Sequence, residues 1–267
     1  QFLNRDKRIV QALATDVQNR LWIASDNDSI YIIDETRRST LKLNTPLSNT
    51  TDFEQVNTLF RSSNGDMYAG TFRKGLYIIP AGTKIADKKN WKLLNTALSP
   101  GLPSNNIYSL AENTDGTIWI GTYTGLCMYR PVTGKLHPVY VSPDGSAISD
   151  YIIRTICTDD KNRVWCGTDN GLFVFNKGKL IKSYKSNETD TGSLTNNRIT
   201  FLFKDSEKNI WVGTKEGLNL FKPGTDNFSR FTNKNGLPDN SIRSILQDEK
   251  ENLWIGASHG LIKFNIQ

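Results

Sequence analysis

Asp115-Gly-Thr-Ile-Trp119-Ile-Gly121-Thr-Tyr-Thr-Gly125-Leu126, preceded by Ile107-Tyr-Ser-Leu110, recurs along this chain. Clear copies stand at Trp165-Cys-Gly167-Thr-Asp-Asn-Gly171-Leu172, Trp211-Val-Gly213-Thr-Lys-Glu-Gly217-Leu218 and Trp254-Ile-Gly256-Ala-Ser-His-Gly260-Leu261. Two looser copies precede them: Tyr68-Ala-Gly70-Thr-Phe-Arg-Lys-Gly75-Leu76 exchanges Trp for Tyr, and the stretch Trp22 to Ile30 lacks both glycines. A fixed period decides architecture before any local reading does. The anchors at 22, 68, 119, 165, 211 and 254 are spaced by 46, 51, 46, 46 and 43 residues, room for four short strands and their turns.

Working outward from the anchor, an apolar residue lies twelve positions before it (Val10, Val56, Ile107, Ile153, Ile199, Ile242) and another nine before it (Leu13, Leu59, Leu110, Ile156, Leu202, Ile245). Their odd separation predicts opposite faces of one strand. A strand apolar on both faces is sandwiched between sheets, as in a propeller blade. The residue ten before the anchor is small except at Phe201, as expected where innermost strands crowd. A polar turn such as Asn113-Thr-Asp-Gly116 then joins the first two strands as a hairpin. The Gly before Leu supplies positive φ, and the Gly two after Trp admits the neighbouring sheet. Outer strands follow at 135–140, 179–184 and 227–231. The expectation is an all-β chain, a β-propeller of about six four-stranded antiparallel blades forming a single domain over residues 1–267. Either Phe2 and Leu3 complete the last blade beside 260–264, or the chain is a segment of a larger propeller array.

Composition agrees with a folded, water-soluble class: 267 residues, 37% hydrophobic, 22% charged and 10% aromatic are too apolar for disorder and too interrupted by polar residues for a membrane bundle. No apolar run approaches the roughly 18 residues of a spanning helix. The chain begins at Gln1 without a methionine or a signal-like stretch, so a processed or excised piece is expected, with any anchor or export signal outside it. The net charge of +6 is scattered, without a basic block or a nucleic-acid motif, which argues against nucleic acid as a partner. Cys127, Cys157 and Cys166 have no metal-type spacing and are expected to be reduced. Cys157 and Cys166 would face each other across a tight hairpin.

The pattern Trp-Ile-Gly-Thr-x-x-Gly-Leu, preceded by Asp-x-x-Gly and followed by a loop like Asn235-Gly-Leu-Pro-Asp-Asn240, resembles the two-component regulator propeller repeat. The resemblance covers nearly the whole chain, strongly in four units and loosely in the first two. It implies the extracytoplasmic sensor of a membrane-bound, often hybrid, histidine kinase of the Bacteroidetes type. With that come a periplasmic location, a glycan-type signal and kinase activity in a region outside this segment. Family sensors carry more repeats than the six here.

Between otherwise similar units the sequence varies at the edge opposite the Asp-x-x-Gly hairpin. Eleven before the anchor stand Gln11, Asn57, Tyr108, Arg154, Thr200 and Arg243. The loops after the second strands read Asp26-Asn-Asp28, Phe72-Arg-Lys74, Tyr123-Thr124, Asp169-Asn170, Lys215-Glu216 and Ser258-His259. Arg73, Tyr108, Tyr123, Arg154, Asp169, Lys215, Glu216, Arg243 and His259 are the candidate ligand residues. Rings, guanidinium groups, amides and carboxylates suit a sugar's hydroxyls and apolar faces; the plainer reading is that surface loops vary. No catalytic residue, cofactor or metal is expected, since His137 and His259 occupy unrelated repeat positions and no nucleophile motif is present. A propeller lyase of the streptogramin type is the less favoured enzyme reading. A protein-binding scaffold is the alternative function. The expected partners are a glycan or other small-molecule signal, other domains of the same sensor kinase, and a second copy in a homodimer, with membrane contact only through regions outside the segment.

Overall fold

The computed structural model describes residues 9–25, 29–34, 39–44, 55–85, 87–139, 151–237 and 239–264. They fall into two compact units, Gln1–Pro138 and Val139–Gln267. The first unit holds three four-stranded antiparallel sheets, each in simple up-and-down order. Sheet one is β1 (Val10–Thr15), β2 (Leu21–Ser25), β3 (Ser29–Asp34) and β4 (Ser39–Asn44). Sheet two is β5 (Val56–Arg61), β6 (Met67–Thr71), β7 (Leu76–Ile79) and β8 (Lys92–Leu94). Sheet three is β9 (Ile107–Glu112), β10 (Ile118–Thr122), β11 (Gly125–Arg130) and β12 (Lys135–Val139).

In the second unit, sheet four is β13 (Thr155–Thr158), β14 (Arg163–Thr168), β15 (Gly171–Asn176) and β16 (Lys179–Tyr184). Sheet five is β17 (Ile199–Lys204), β18 (Ile210–Thr214), β19 (Gly217–Lys222) and β20 (Asn227–Phe231). Sheet six shows three strands among the described residues, β21 (Ile242–Gln247), β22 (Leu253–Ala257) and β23 (Gly260–Phe264). The chain is all-β and its sheets are the blades of a β-propeller. Phe2 and Leu3, expected to complete sheet six, lie outside the described residues.

The first strand of the repeat is not regular. In sheet two Val56 pairs with Thr71 and Thr58 with Gly70, so Asn57 is an extra, bulged residue. The same irregularity falls at Gln11, Tyr108, Thr200 and Arg243. A bulge resets the alternation of faces. Val56 and Leu59, paired to Thr71 and Ala69, therefore share one face instead of lying on opposite faces as their spacing predicted. The sheet is apolar on both sides nonetheless: Val56, Leu59 and Ala69 pack against Trp22 and Ile32 of sheet one, while Tyr68 and Ile78 pack against Ile107 and Leu110 of sheet three.

That arrangement gives the anchor its partner. Trp22 and Tyr68 each lie in a cluster with the two apolar first-strand residues of the following sheet, as do Trp165 and Trp211 in the second unit. The glycine two after the anchor shares its face, and there the sheets meet closely. A Cβ at Gly70 would stand 2.6 Å from Ile107 Cγ2, and one at Gly167 2.5 Å from Ile199 Cγ2. The small residue ten before the anchor pairs with this glycine, as Thr58 with Gly70 and Thr155 with Gly167. Trp254 is half-buried, whereas Trp22, Trp165 and Trp211 are buried.

The cysteine geometry also differs from expectation. The turn is closed by Asp159 and Arg163, one residue longer than a symmetric two-residue hairpin, so Cys157 pairs with Trp165 and Cys166 with Ile156. The two thiols point to opposite faces, and all three cysteines are free. Burial pushes the Cys157 thiol up to about 12, which makes it an inert apolar side chain.

Candidate functional site

The hairpin edge repeats one device. Six residues before the anchor, Asp16, Asp159, Asp205 and Asp248 each accept the indole N–H of Trp22, Trp165, Trp211 and Trp254 at 2.8–2.9 Å. The other carboxylate oxygen caps the turn, as where Asp159 Oδ1 accepts the backbone N–H of Lys161 and Arg163 at 3.0 and 2.9 Å. Arg20 and Arg163 add a guanidinium contact at 2.7 and 2.6 Å. The indole bond, with the Asn252 amide and backbone donors, holds the Asp248 carboxyl down at about 2. Burial opposes the same set of bonds at Asp16, where the bonds to Trp22, Arg20 and Gln18 win and the carboxyl again lies low. These aspartates are framework. They recur six before the anchor, a regularity the reading of the hairpin as a generic polar turn overlooked.

The opposite edge is assembled from the bulges and the short turns after the second strands, and in sheets two, three, five and six the first strand is tied to its own sheet's turn in one way. The backbone N–H of Phe72, Tyr123, Lys215 and Ser258 donates to the carbonyl of Gln55, Asn106, Arg198 and Ser241 at 2.7–3.1 Å. The carrier backbone is thus regular while the side chains it presents differ.

In the first unit this edge carries the rings of Phe72, Tyr108 and Tyr123. Tyr108, the bulge of β9, lies with its ring centroid 6.5 Å from that of exposed Tyr123. Exposed Arg73 holds a left-handed backbone at φ 78°. Its N–H donates to Asn106 Oδ1 at 2.7 Å and its guanidinium lies 5.0 Å from the Phe72 ring centroid.

In the second unit the side chains on this edge are mostly charged. Arg154 Nε and Nη2 donate to Asp169 Oδ1 and Oδ2 at 2.6 and 2.9 Å, a forked pair. Arg243 Nε donates to Ser258 Oγ at 3.1 Å. His259 Nδ1 lies 2.7 Å from Asp239 Oδ2. Backbone donation by Ser241, then the His259 contact, holds the Asp239 carboxyl below its ordinary range. Lys215 and Glu216 are exposed in the turn between β18 and β19. Arg154 with Asp169, and Arg243 and His259 with their own partners, make two groups. The loop Asp26–Asp28 lies outside the described residues.

The sequence reading missed Arg198, whose Nε reaches Asp169 Oδ1 at 3.3 Å, and Tyr151, whose hydroxyl accepts Asn170 Nδ2 at 2.9 Å. Neither occupies the bulge position or the turn, so the position-by-position comparison passed over both. A separate cavity of about 450 Å³ opens on the hairpin edge of the first unit, lined by Ser62, Ser63, Asn64, Glu112, Arg130 and Val132 among others. Its Glu112 is already engaged by the Ser63 N–H and hydroxyl at 2.6 and 2.7 Å. Among the described residues no group of three or more His, Cys, Asp and Glu side chains has metal-binding geometry, and no helix is long and apolar enough to cross a membrane.

Residues 101–124, 193–216 and 236–259 match the model of the two component regulator propeller. The chain carries two component regulator propeller repeats. Each matched stretch runs through the bulged strand to the turn that ends on the variable edge, so Tyr108, Tyr123, Lys215, Glu216, Arg243 and His259 fall within them. Over 120 residues the chain is 27% identical to "Histidine kinase P4" of Formosa agariphila, covering 43% of this chain and 8% of that protein. Its fold is that of the extracellular domain of a hybrid two component system from B. thetaiotaomicron, with TM-score 0.77 and 22% identity over 96% of this chain and 33% of that one. Virginiamycin B lyase of Staphylococcus aureus, solved with quinupristin, has TM-score 0.71 and 14% identity over 99% of this chain and 87% of that one. The chain therefore spans a third of that extracellular domain and under a tenth of the Formosa agariphila histidine kinase.

Proposed function

We propose that this chain is the sensing propeller of a two-component signalling protein, working outside the cytoplasm in the periplasm, and that its bulge edge receives a glycan or oligosaccharide. The observation that carries the reading is the pairing of regulator-propeller repeats with an edge whose backbone is the same from sheet to sheet and whose side chains are not. Tyr108, Tyr123 and Arg73 offer faces for stacking, and Arg154, Asp169, Lys215, Glu216, Arg243 and His259 offer donors and acceptors for hydroxyls. The segment itself is non-catalytic in this reading. Kinase activity belongs to a region outside it, whose domains, with a second copy, are its protein partners.

A panel of plant and host oligosaccharides in a thermal-shift assay tests this. A saturable rise in Tm that Tyr108→Ala or Arg243→Ala removes supports sensing at this edge. A stable complex with another protein and no sugar effect supports a scaffold, and turnover of a streptogramin-type substrate supports the lyase, a reading for which only the shared fold speaks.

A further inference from the structure

The turn between β14 and β15 consists of Asp169 and Asn170, and each holds cations. Asp169 binds Arg154 through both oxygens at 2.6 and 2.9 Å and Arg198 through Oδ1 at 3.3 Å, so one carboxylate faces two guanidinium groups. Asn170 Oδ1 accepts Lys185 Nζ at 3.2 Å, and its Nδ2 donates to the Tyr151 hydroxyl at 2.9 Å. The Tyr151 ring stacks on Phe173 with centroids 5.8 Å apart and planes at 26°. Among the described residues, three cations thus meet the Asp169 carboxylate and the Asn170 amide at this turn, beside an aromatic pair.

Most exposed cations are long, solvated and disordered, and do not make a site. Arg198 differs because its main chain is fixed on both sides. Its N–H donates to Asn196 Oδ1 at 2.8 Å and its carbonyl accepts Lys215 N–H at 3.1 Å. The adjacent Asn197 carbonyl accepts Gly171 N–H at 2.7 Å, which ties this loop to the Asp169–Asn170 turn. Further back, the Arg230 guanidinium donates to the carbonyls of Asn187, Asp190, Ser193 and Leu194, clamping the loop that leads to Arg198. The Arg198 side chain is 49% exposed at the end of this clamped segment. A guanidinium presented from a fixed backbone loses little freedom on binding, and its planar fork matches the two oxygens of a carboxylate or sulfate.

We propose that Arg154, Arg198 and Lys185 form an anion-reading subsite for a carboxylate or sulfate carried on a sugar ring, with Tyr151 and Phe173 as the apolar wall beside it. The proposal rests on the glycan reading and narrows it to acidic glycans. Arg198 contacts the anionic group, Asp169 orients Arg154 and Arg198, and Arg230 positions the loop.

Titration calorimetry on the whole chain with a galacturonate tetrasaccharide, a chondroitin sulfate tetrasaccharide, neutral maltotetraose and sodium sulfate tests it. At least one acidic tetrasaccharide should bind at least tenfold more tightly than maltotetraose and weaken as NaCl is raised. Arg198→Ala should weaken that binding at least tenfold with Tm unchanged, and Arg198→Lys should restore part of it, keeping charge without the fork. If maltotetraose binds as tightly as the acidic sugars, or Arg198→Ala leaves acidic binding intact, the anion subsite is wrong while the glycan reading stands. If none of the sugars binds, both fall. Sodium sulfate binding as tightly as the acidic sugar overturns the sugar-borne part and leaves a site for simple anions only.

Discussion

The two edges of these sheets obey different rules. At the hairpin edge four of the six repeats carry the same carboxylate-to-indole bond, with distances agreeing within 0.1 Å. At the other edge the bulges are in register and the residues on them are Gln, Asn, Tyr, Thr and Arg. The difference teaches where the repeat is held. In those four sheets one carboxylate satisfies both the indole N–H and the orphan donors of the turn, whereas a bulge residue has no ladder partner to keep and is aimed out of the sheet. Sheet two departs from this pattern: Ser62 takes the place of Asp, donating to Asn64 Oδ1 at 2.6 Å and the Asp66 carbonyl at 3.1 Å, and Tyr68 replaces Trp.

The largest effect expected on the hairpin side is at the anchor itself. Trp165 is fully buried against Phe221 at 4.8 Å between ring centroids, so Trp165→Ala should destabilise by roughly 3–5 kcal/mol in urea unfolding. Trp91, half-buried beside Tyr77, should lose about half of that. Equal losses would break the distinction between framework and non-framework tryptophans.

Next comes the partner of the anchor. Asp159→Ala leaves the Trp165 indole and two turn N–H groups without their acceptor, for an expected loss of about 1–3 kcal/mol. Ser62→Ala, where no indole depends on the side chain, should lose less. Should the two prove alike, the aspartate is only a turn former.

This ranking also marks what was legible in the sequence. The six sheets follow from the anchor period, because each anchor repeats with its whole environment. The bulge was not legible: Val56 and Leu59 are three apart, and only the pairing of Thr58 with Gly70 shows that a residue has been inserted. The same blindness to register put Cys157 opposite Cys166, where Asp159 in fact lengthens the turn by a residue. On the variable edge the pairing of Arg154 with Asp169 spans fifteen residues and that of Asp169 with Arg198 spans twenty-nine. Arg198 comes from the loop before the next sheet, so comparing equivalent positions could not find it. The aspartates six before the anchor were visible, but their bond to the indole needed coordinates.

Acid offers a milder probe of the same edge. Asp248 has a folded carboxyl near 2 against an ordinary 3.8, and Asp16 is also lowered. A depressed folded value means the bond contributes stability above the unfolded value, and that contribution is lost as pH falls from about 4 toward 2. Tm should therefore fall through that window, and Asp248→Asn should flatten part of the fall. An unchanged acid profile in the variant would show that other carboxylates control it. Sheets two and three, with Ser62 and Asn113 at this position, contribute no such titration.

The smallest effects on folding belong to the bulge edge, and they sharpen the comparison most. Tyr108 and Arg243 leave the ladder at their own bulges, and Arg243 is exposed, its Nε donating to Ser258 Oγ at 3.1 Å. Replacement of either by Ala should change stability by no more than about 0.5 kcal/mol, the ordinary range for surface positions. Tyr108→Ala removes a half-buried ring that lies beside Tyr123, so it should stand at the upper end of that range. Binding should separate where stability does not: in the sugar titrations the Tyr108 variant should lose affinity irrespective of salt, through stacking, and the Arg243 variant should lose more at low salt, since screening limits exposed charges to about 8 Å at physiological ionic strength. If both bind sugar normally while a substitution in the hairpin-edge cavity, such as Arg130→Ala, abolishes binding, then the side chains that vary from sheet to sheet are ordinary surface and the recognition edge is the one held by the aspartates.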